Sequence, residues 1–241
     1  MTNTASIGGA SPDGEPPEGD PVVLSRTIGA TGGELVLRRV GAHFEIISNG
    51  VFLMDTRSGR SERAMVRASL DALTAADGVS VLIGGLGAGF SAREALDHPA
   101  VAEVCVVELE PLIVEWHSGP LGAAAGRVVG DPRCTVVRAD LVRWIGATEH
   151  VFDAVCLDID NGPEWTVVDG NGALYGPAGL ARLDRRVRPG GVLAFWSAMP
   201  APAFAGLLGE RYGRVDTVEV PAERGGPDLV YLVRPPGTGR H

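Results

Sequence analysis

The segment Cys156–Trp165, CLDIDNGPEW, sets Asp158, Asp160 and Asn161 side by side where an apolar run gives way to a turn. Carboxylates in such a place can take a proton from a nucleophile, hold a cation, or bind a hard metal ion through oxygen. They can equally do no more than satisfy the amides of the turn. A second group lies upstream: VLIGGLGAGF places Gly84, Gly85, Gly87 and Gly89 in one short stretch. Glycine there lets the backbone approach a ligand and take angles that a Cβ blocks. Glu108 in VVELE and Asp140 with Leu141 in VVRADLVRW add two acids, each closing an apolar run. The stretch NGPEWTVVDGNGALYG then supplies Trp165 and Tyr175, whose faces suit a cation. For Trp165, core packing is an equal reading.

These residues need elements to hold them. From Val79 the chain alternates strand-like and helix-like segments: VSVLIG, EVCVVELE, CTVVRAD, FDAVCLDID and GGVLAFWS are apolar without polar alternation, as parallel strands buried on both faces require. Helices are expected to begin near Ser91, Pro111, Leu141 and Gly176. RVDTVEVP and DLVYLVRPP are expected to close the sheet as a hairpin. Upstream, ELVLRRV, HFEIIS and VFLMD are short strands, with Asn49-Gly50 a hairpin signal. SERAMVRASLDALTAA has helical spacing and is expected to run until Gly78 stops it. The fold class is therefore α/β: a doubly wound, Rossmann-like core with a small N-terminal antiparallel β domain. The expected divisions are a disordered tail at 1–20, the β domain at 21–60 and the core at 61–241.

Composition narrows the partners. With 30 acidic against 21 basic residues, a net charge of −9, and no run of Lys or Arg, the chain lacks the basic surface that nucleic acid requires. No apolar run approaches the length of a membrane span, and the first 20 residues lack the basic and apolar regions of a secretion signal. Cys105, Cys134 and Cys156 are an odd number in or beside strand-like runs. A cytoplasmic location is expected.

The glycine loop, followed by an acid at the end of the next strand, fits a nucleotide. A dinucleotide fingerprint calls for Gly or Ala where Phe90 stands. Asp140 ends the third strand, where SAM enzymes commonly hold the adenine amino group with a carboxylate, so the expected cofactor is S-adenosylmethionine (SAM) or its decarboxylated form. A parallel sheet ending in a hairpin is also the arrangement of class I SAM-dependent transferases. Asp158 is then the candidate catalytic residue, with Asp160, Asn161, Trp165 and Tyr175 toward the substrate. No metal is expected, because the following strand ends AFWSAMP without an acid or amide.

In order and spacing, VLIGGLGAGF, VVELEP, DPRCTVVRAD, FDAVCLDIDNGP and LYGPAGLARLDRRVRPGGVLAFWS resemble the spermidine synthase (polyamine aminopropyltransferase) family. The resemblance implies that Glu108 binds ribose, Asp140 and Leu141 bind adenine, and Asp158 receives or orients the acceptor amine. Two departures stand against polyamine chemistry. The family's GGGDGG-like run has an Asp for the donor amine, a position taken here as Ala88. Its DEFxYHE-like run is answered by Glu62, then Met65, Val66 and Arg67, with Arg67 a cation where an acid is expected. On these grounds methyl transfer from SAM to a small-molecule acceptor is the leading expectation. Aminopropyl transfer is the alternative, and a non-catalytic nucleoside-binding protein the second. By analogy with the family, a homodimer is expected through the N-terminal hairpins.

Overall fold

The computed structural model describes residues 20–30, 32–74, 77–166, 168, 170–222 and 226–236. The tail expected at 1–20 lies, except for Asp20, outside the described residues.

VSVLIG forms β5 (Val79–Gly84), and all six residues are buried. A strand covered on both faces must divide its side chains between two cores, and the alternation is explicit. Val81 and Ile83 join one hydrophobic cluster while Leu82 joins the other. The same alternation holds in β6 (Val101–Glu108), β8 (Phe152–Leu157) and β9 (Val187–Ser197). With β7 (Cys134–Arg138), β10 (Asp216–Val220) and β11 (Asp228–Val233) they make a seven-stranded sheet ordered β10-β11-β9-β8-β5-β6-β7. β5 to β9 pair in parallel, and β11 and β10 close the sheet antiparallel.

The first core lies under α1 (Arg60–Asp71) and α2 (Phe90–Asp97). Met65, Val66, Ser69 and Leu70 of α1 are buried at helical spacing, which fixes the face turned to the sheet. The helix begins at Gly59 with φ 63°, where a Cβ would run into the Phe90 ring. It ends at Asp71, earlier than the sequence reading, and Gly78 at φ 71° instead turns the chain into β5. The second core holds residues of α5 (Leu141–Ala147), α6 (Gly172–Tyr175), α7 (Pro177–Asp184) and α8 (Pro202–Tyr212). The short α3 (Pro111–Trp116) and α4 (Pro120–Ala124) follow β6.

A separate sheet of four antiparallel strands, β1 (Val22–Ile28), β2 (Glu34–Val40), β3 (His43–Ser48) and β4 (Val51–Asp55), precedes the core. Leu35, Leu37, Phe44 and Ile46 pack it onto the first cluster. Strand β1 is not among the runs singled out from sequence. Its first three residues are exposed, so it has no apolar stripe to announce it.

Candidate active site

A cavity of about 570 Å³ opens at the carboxyl ends of β5, β6 and β8, the edge where doubly wound sheets bind ligands. The small sheet supplies a second wall through Val51 to Asp55, and the β10–β11 hairpin a third through Val220, Pro221, Ala222 and Asp228.

Of the glycine loop, Gly85 and Gly87 line the cavity. Gly85 has φ 91°, and a Cβ on it would overlap the carbonyl oxygen of Asp158. A Cβ on Gly87 would come within 2.6 Å of the Met54 methyl, so a thioether from β4 fills the space beside the loop. Gly84 and Gly89 are not on the cavity wall: Gly84 packs beneath Leu141, and Gly89 against His117. The His117 ring is buried, with Nε2 2.9 Å from the Gly87 carbonyl. Burial pulls its pKa below the usual histidine value, although the bond to Gly87 opposes this, so the ring braces the loop as a neutral group.

Glu108 ends β6 with its carboxylate buried at the cavity wall. Oε2 accepts from the Leu86 amide at 2.8 Å and Oε1 from the Glu110 amide at 2.7 Å. Burial pushes its carboxyl above the usual range, against the amides of Glu110, Leu86 and Gly87, which favour the charged form. With three amides on about four acceptor sites, one lone pair remains for a ligand hydroxyl. Leu141 also lines the cavity, whereas Asp140 does not: its Oδ1 accepts from the Arg143 amide at 3.0 Å and caps α5.

Asp158 follows β8. Its Oδ2 accepts from the Ser91 hydroxyl at 2.7 Å. Its pKa is pushed up to about 7, first by burial and next by the charge of Glu62; Ser91 opposes the rise and Asp228 adds to it. Glu62 and Asp228 line the same cavity. The Glu62 carboxyl is raised too, chiefly by burial and further by Asp228. Three carboxylates thus share one water-limited space, and a cation that enters it relieves their repulsion. Among the described residues no group of His, Cys, Asp and Glu is arranged to hold a metal ion.

Asp160, Asn161 and Trp165 reach the cavity by different means. Asp160 has φ 58° and organises the loop, Oδ1 accepting from the Val168 amide at 3.0 Å and Oδ2 from Asn171 Nδ2 at 2.8 Å. Asn161 is tied by its backbone to Trp165 and Ala198. Trp165 is half exposed at the rim. Glu164 faces away and caps α8 through the amides of Ala203 and Phe204. Tyr175 is not brought to the site: it is buried in the second core, edge-on to Phe204.

Two residues at the cavity are not among those singled out from sequence: Asp228, and Trp196, which lines the wall with its indole Nε1 buried and unbonded among the described residues. Glu62 was noticed only as a remnant of a motif. Its signal was available, since Glu62 lies one helical turn ahead of Val66 on the buried side of α1.

A family model described as the spermine/spermidine synthase domain matches residues 65–198. The chain belongs to the spermine/spermidine synthase family. It is 28% identical over 169 residues to polyamine aminopropyltransferase 2 of Ralstonia nicotianae, which covers 69% of this chain and 32% of that protein. It is 30% identical over 171 residues to the polyamine aminopropyltransferase of Mycobacterium tuberculosis, with 69% and 31% covered. The chain therefore spans about a third of the length of these curated relatives. A spermidine synthase solved with the transition-state analogue AdoDATO shares the fold at TM-score 0.70 and 15% identity, covering 88% of this chain and 73% of that one. The Thermotoga maritima spermidine synthase does so at TM-score 0.68 and 13% identity, with 88% and 72% covered.

The expectation of methyl transfer is overturned by this family membership and by relatives that are aminopropyltransferases. Of the two departures that supported it, the one at Arg67 fails in three dimensions. Arg67 is no cation in the channel: its side chain is 64% exposed and paired with Glu94. Ala88 is buried and off the cavity wall. The glycine loop nonetheless carries no carboxylate where the GGGDGG-like run has its Asp.

Proposed function

We propose that this chain is an aminopropyltransferase, moving the aminopropyl group of decarboxylated SAM to a small amine acceptor and releasing methylthioadenosine. The observation that carries this reading is the convergence of Glu62, Asp158 and Asp228 on the cavity that also holds the glycine loop and Glu108.

The residues present suit a nucleoside donor. Glu108 offers its remaining lone pair to a ribose hydroxyl, Gly85 and Gly87 allow close approach, and Leu141 with Ala139 and Val107 gives an apolar surface for adenine. Asp158, with a pKa of about 7, is matched to taking a proton from an acceptor ammonium near neutrality. The freed nitrogen attacks the aminopropyl carbon next to the sulfonium, the C–S bond breaks, and its electron pair leaves on sulfur. Glu62 and Asp228 hold positive charge on the acceptor beside the base. Trp165 offers an aromatic face at the rim.

Incubation with decarboxylated SAM and putrescine, cadaverine or agmatine tests this. A mass gain of one aminopropyl unit on the amine, matched by methylthioadenosine, is the expected result; binding of the donor without product from any amine would refute it. One observation favours a second reading, binding without transfer: Met54 fills the space beside Gly87 in a glycine loop that carries no Asp. In that case titration calorimetry shows donor binding that is equally strong in wild type and Asp158→Asn, with no turnover in either.

A further inference from the structure

Asp158 is gripped from both ends by one stretch of chain. Its amide donates to the Gly84 carbonyl at 2.9 Å, and its own carbonyl backs onto Gly85. Its side chain is held by Ser91, the second residue of α2, whose hydroxyl donates to Oδ2 at 2.7 Å. Ser91 is 3% exposed, so water does not compete for this bond.

The usual alternative for a helical serine is not taken. Such a hydroxyl often turns back to the carbonyl four residues earlier, which here is Gly87 O. That oxygen already faces His117 Nε2 at 2.9 Å. Gly89, the N-cap of α2, contributes no side chain, so nothing else at this helix start resembles a polar cap. The Ser91 hydroxyl goes to Asp158 instead. Among the described residues Asp158 Oδ1 accepts no hydrogen bond.

We infer that Ser91 is the positioning residue of the base: it fixes the Asp158 carboxylate through Oδ2, leaves Oδ1 to receive the acceptor proton, and fastens the base to the glycine loop. The loop runs directly into α2, so any rearrangement of the loop on donor binding carries Ser91, and with it Asp158, along. The assignment of the acceptor proton rests on the aminopropyl-transfer reading; the hold of Ser91 on Asp158 does not.

The other groups around Asp158 are accounted for. Glu62 from α1 and Asp228 from β11 raise it. Cys156 on its own strand stays a thiol, since burial pushes its pKa up to about 12. Tyr175 from α6 is also raised, mainly by burial, and stays neutral. Ser91 is therefore the neighbour that stabilises the charged form of the base.

The test is a carbon-13 NMR titration of aspartate carboxyl groups, with the Asp158 signal assigned by its loss in Asp158→Asn. Ser91→Ala should move the Asp158 midpoint upward by about one pH unit, as expected for a lost hydrogen bond to a charged group, and Ser91→Thr should restore it. Ser91→Cys, close to serine in size but a weak donor, should behave like Ser91→Ala, which covers the case of an alanine variant that folds poorly. With decarboxylated SAM and putrescine, Ser91→Ala should lose about tenfold in rate on the acid limb and recover at alkaline pH. An unchanged Asp158 midpoint in both Ser91→Ala and Ser91→Cys overturns the inference. An unchanged acid limb in a variant whose midpoint has moved removes the base's proton from the rate. Failure of the transfer reading looks different: no product from wild type, while the NMR shift on Ser91→Ala persists.

Discussion

Glu62, in the first turn of α1, lines the same cavity as Asp158 at the end of β8, and its charge helps to raise the Asp158 carboxyl to about 7. The two positions are 96 residues apart in the chain and meet because α1 packs over β8, β9 and β11.

That relationship sets a pH dependence. A base works in its deprotonated form, so turnover should climb as pH rises through about 7. Glu62→Gln removes a like charge, lowers the Asp158 pKa and moves the acid limb to lower pH by about half to one unit; Asp228→Asn does the same to a smaller degree. Both should also raise the acceptor KM. Profiles of kcat and kcat/KM against pH check this, and an acid limb that stays in place in Glu62→Gln would uncouple the two carboxylates.

Asp158 should oppose stability where it serves catalysis. Its folded pKa lies above the ordinary value of 3.8, so the native state holds this proton more tightly than the unfolded chain does. The resulting stabilisation is complete below the ordinary value and is lost as pH rises through about 7. Asp158→Asn removes the loss. Thermal melts should show the variant gaining on wild type between about pH 4 and 7, while turnover falls by ~10²–10⁴.

Arg67 offers a negative control. It is paired with Glu94 on the outer side of α1 and does not line the cavity. Arg67→Ala should leave the acceptor KM and the pH profile as they are. A marked fall in KM would mean that a cation at this position does oppose the acceptor.

Glycines at two positions should respond in opposite ways. Gly85→Ala forces a side chain into φ 91° and against the Asp158 carbonyl. About 1–3 kcal/mol of strain is expected from the backbone alone, with weaker binding of methylthioadenosine. Gly146 lies inside α5 with open space where its Cβ would be, and Gly146→Ala should stabilise by roughly 0.5–1 kcal/mol. Chemical denaturation and calorimetry separate the two.

The central sheet is legible in the sequence because strands buried on both faces cannot hide their apolar runs, and Glu108 and Asp158 stand where those runs stop. Helix α8 is harder to see: Phe204 and Leu208 mark a buried face, but Gly206 and Gly209 dilute the helical signal. Asp228 is harder still. It opens β11, and its place beside Glu62 comes from the order of strands and the packing of α1, which no local pattern encodes. Arg67 was misplaced by matching a motif letter by letter. The buried series Met65, Val66, Ser69 and Leu70 already turns Arg67 outward.

Met54 reaches from the small sheet to the glycine loop of the large one, so the cavity has a floor from one sheet and a ceiling from the other. A ligand in that pocket touches both and is bound only while they are docked. Ligand binding there and the docking of the sheets are thus linked equilibria, and a saturating nucleoside should protect the Thr56–Gly59 connection from proteolysis in proportion to its occupancy.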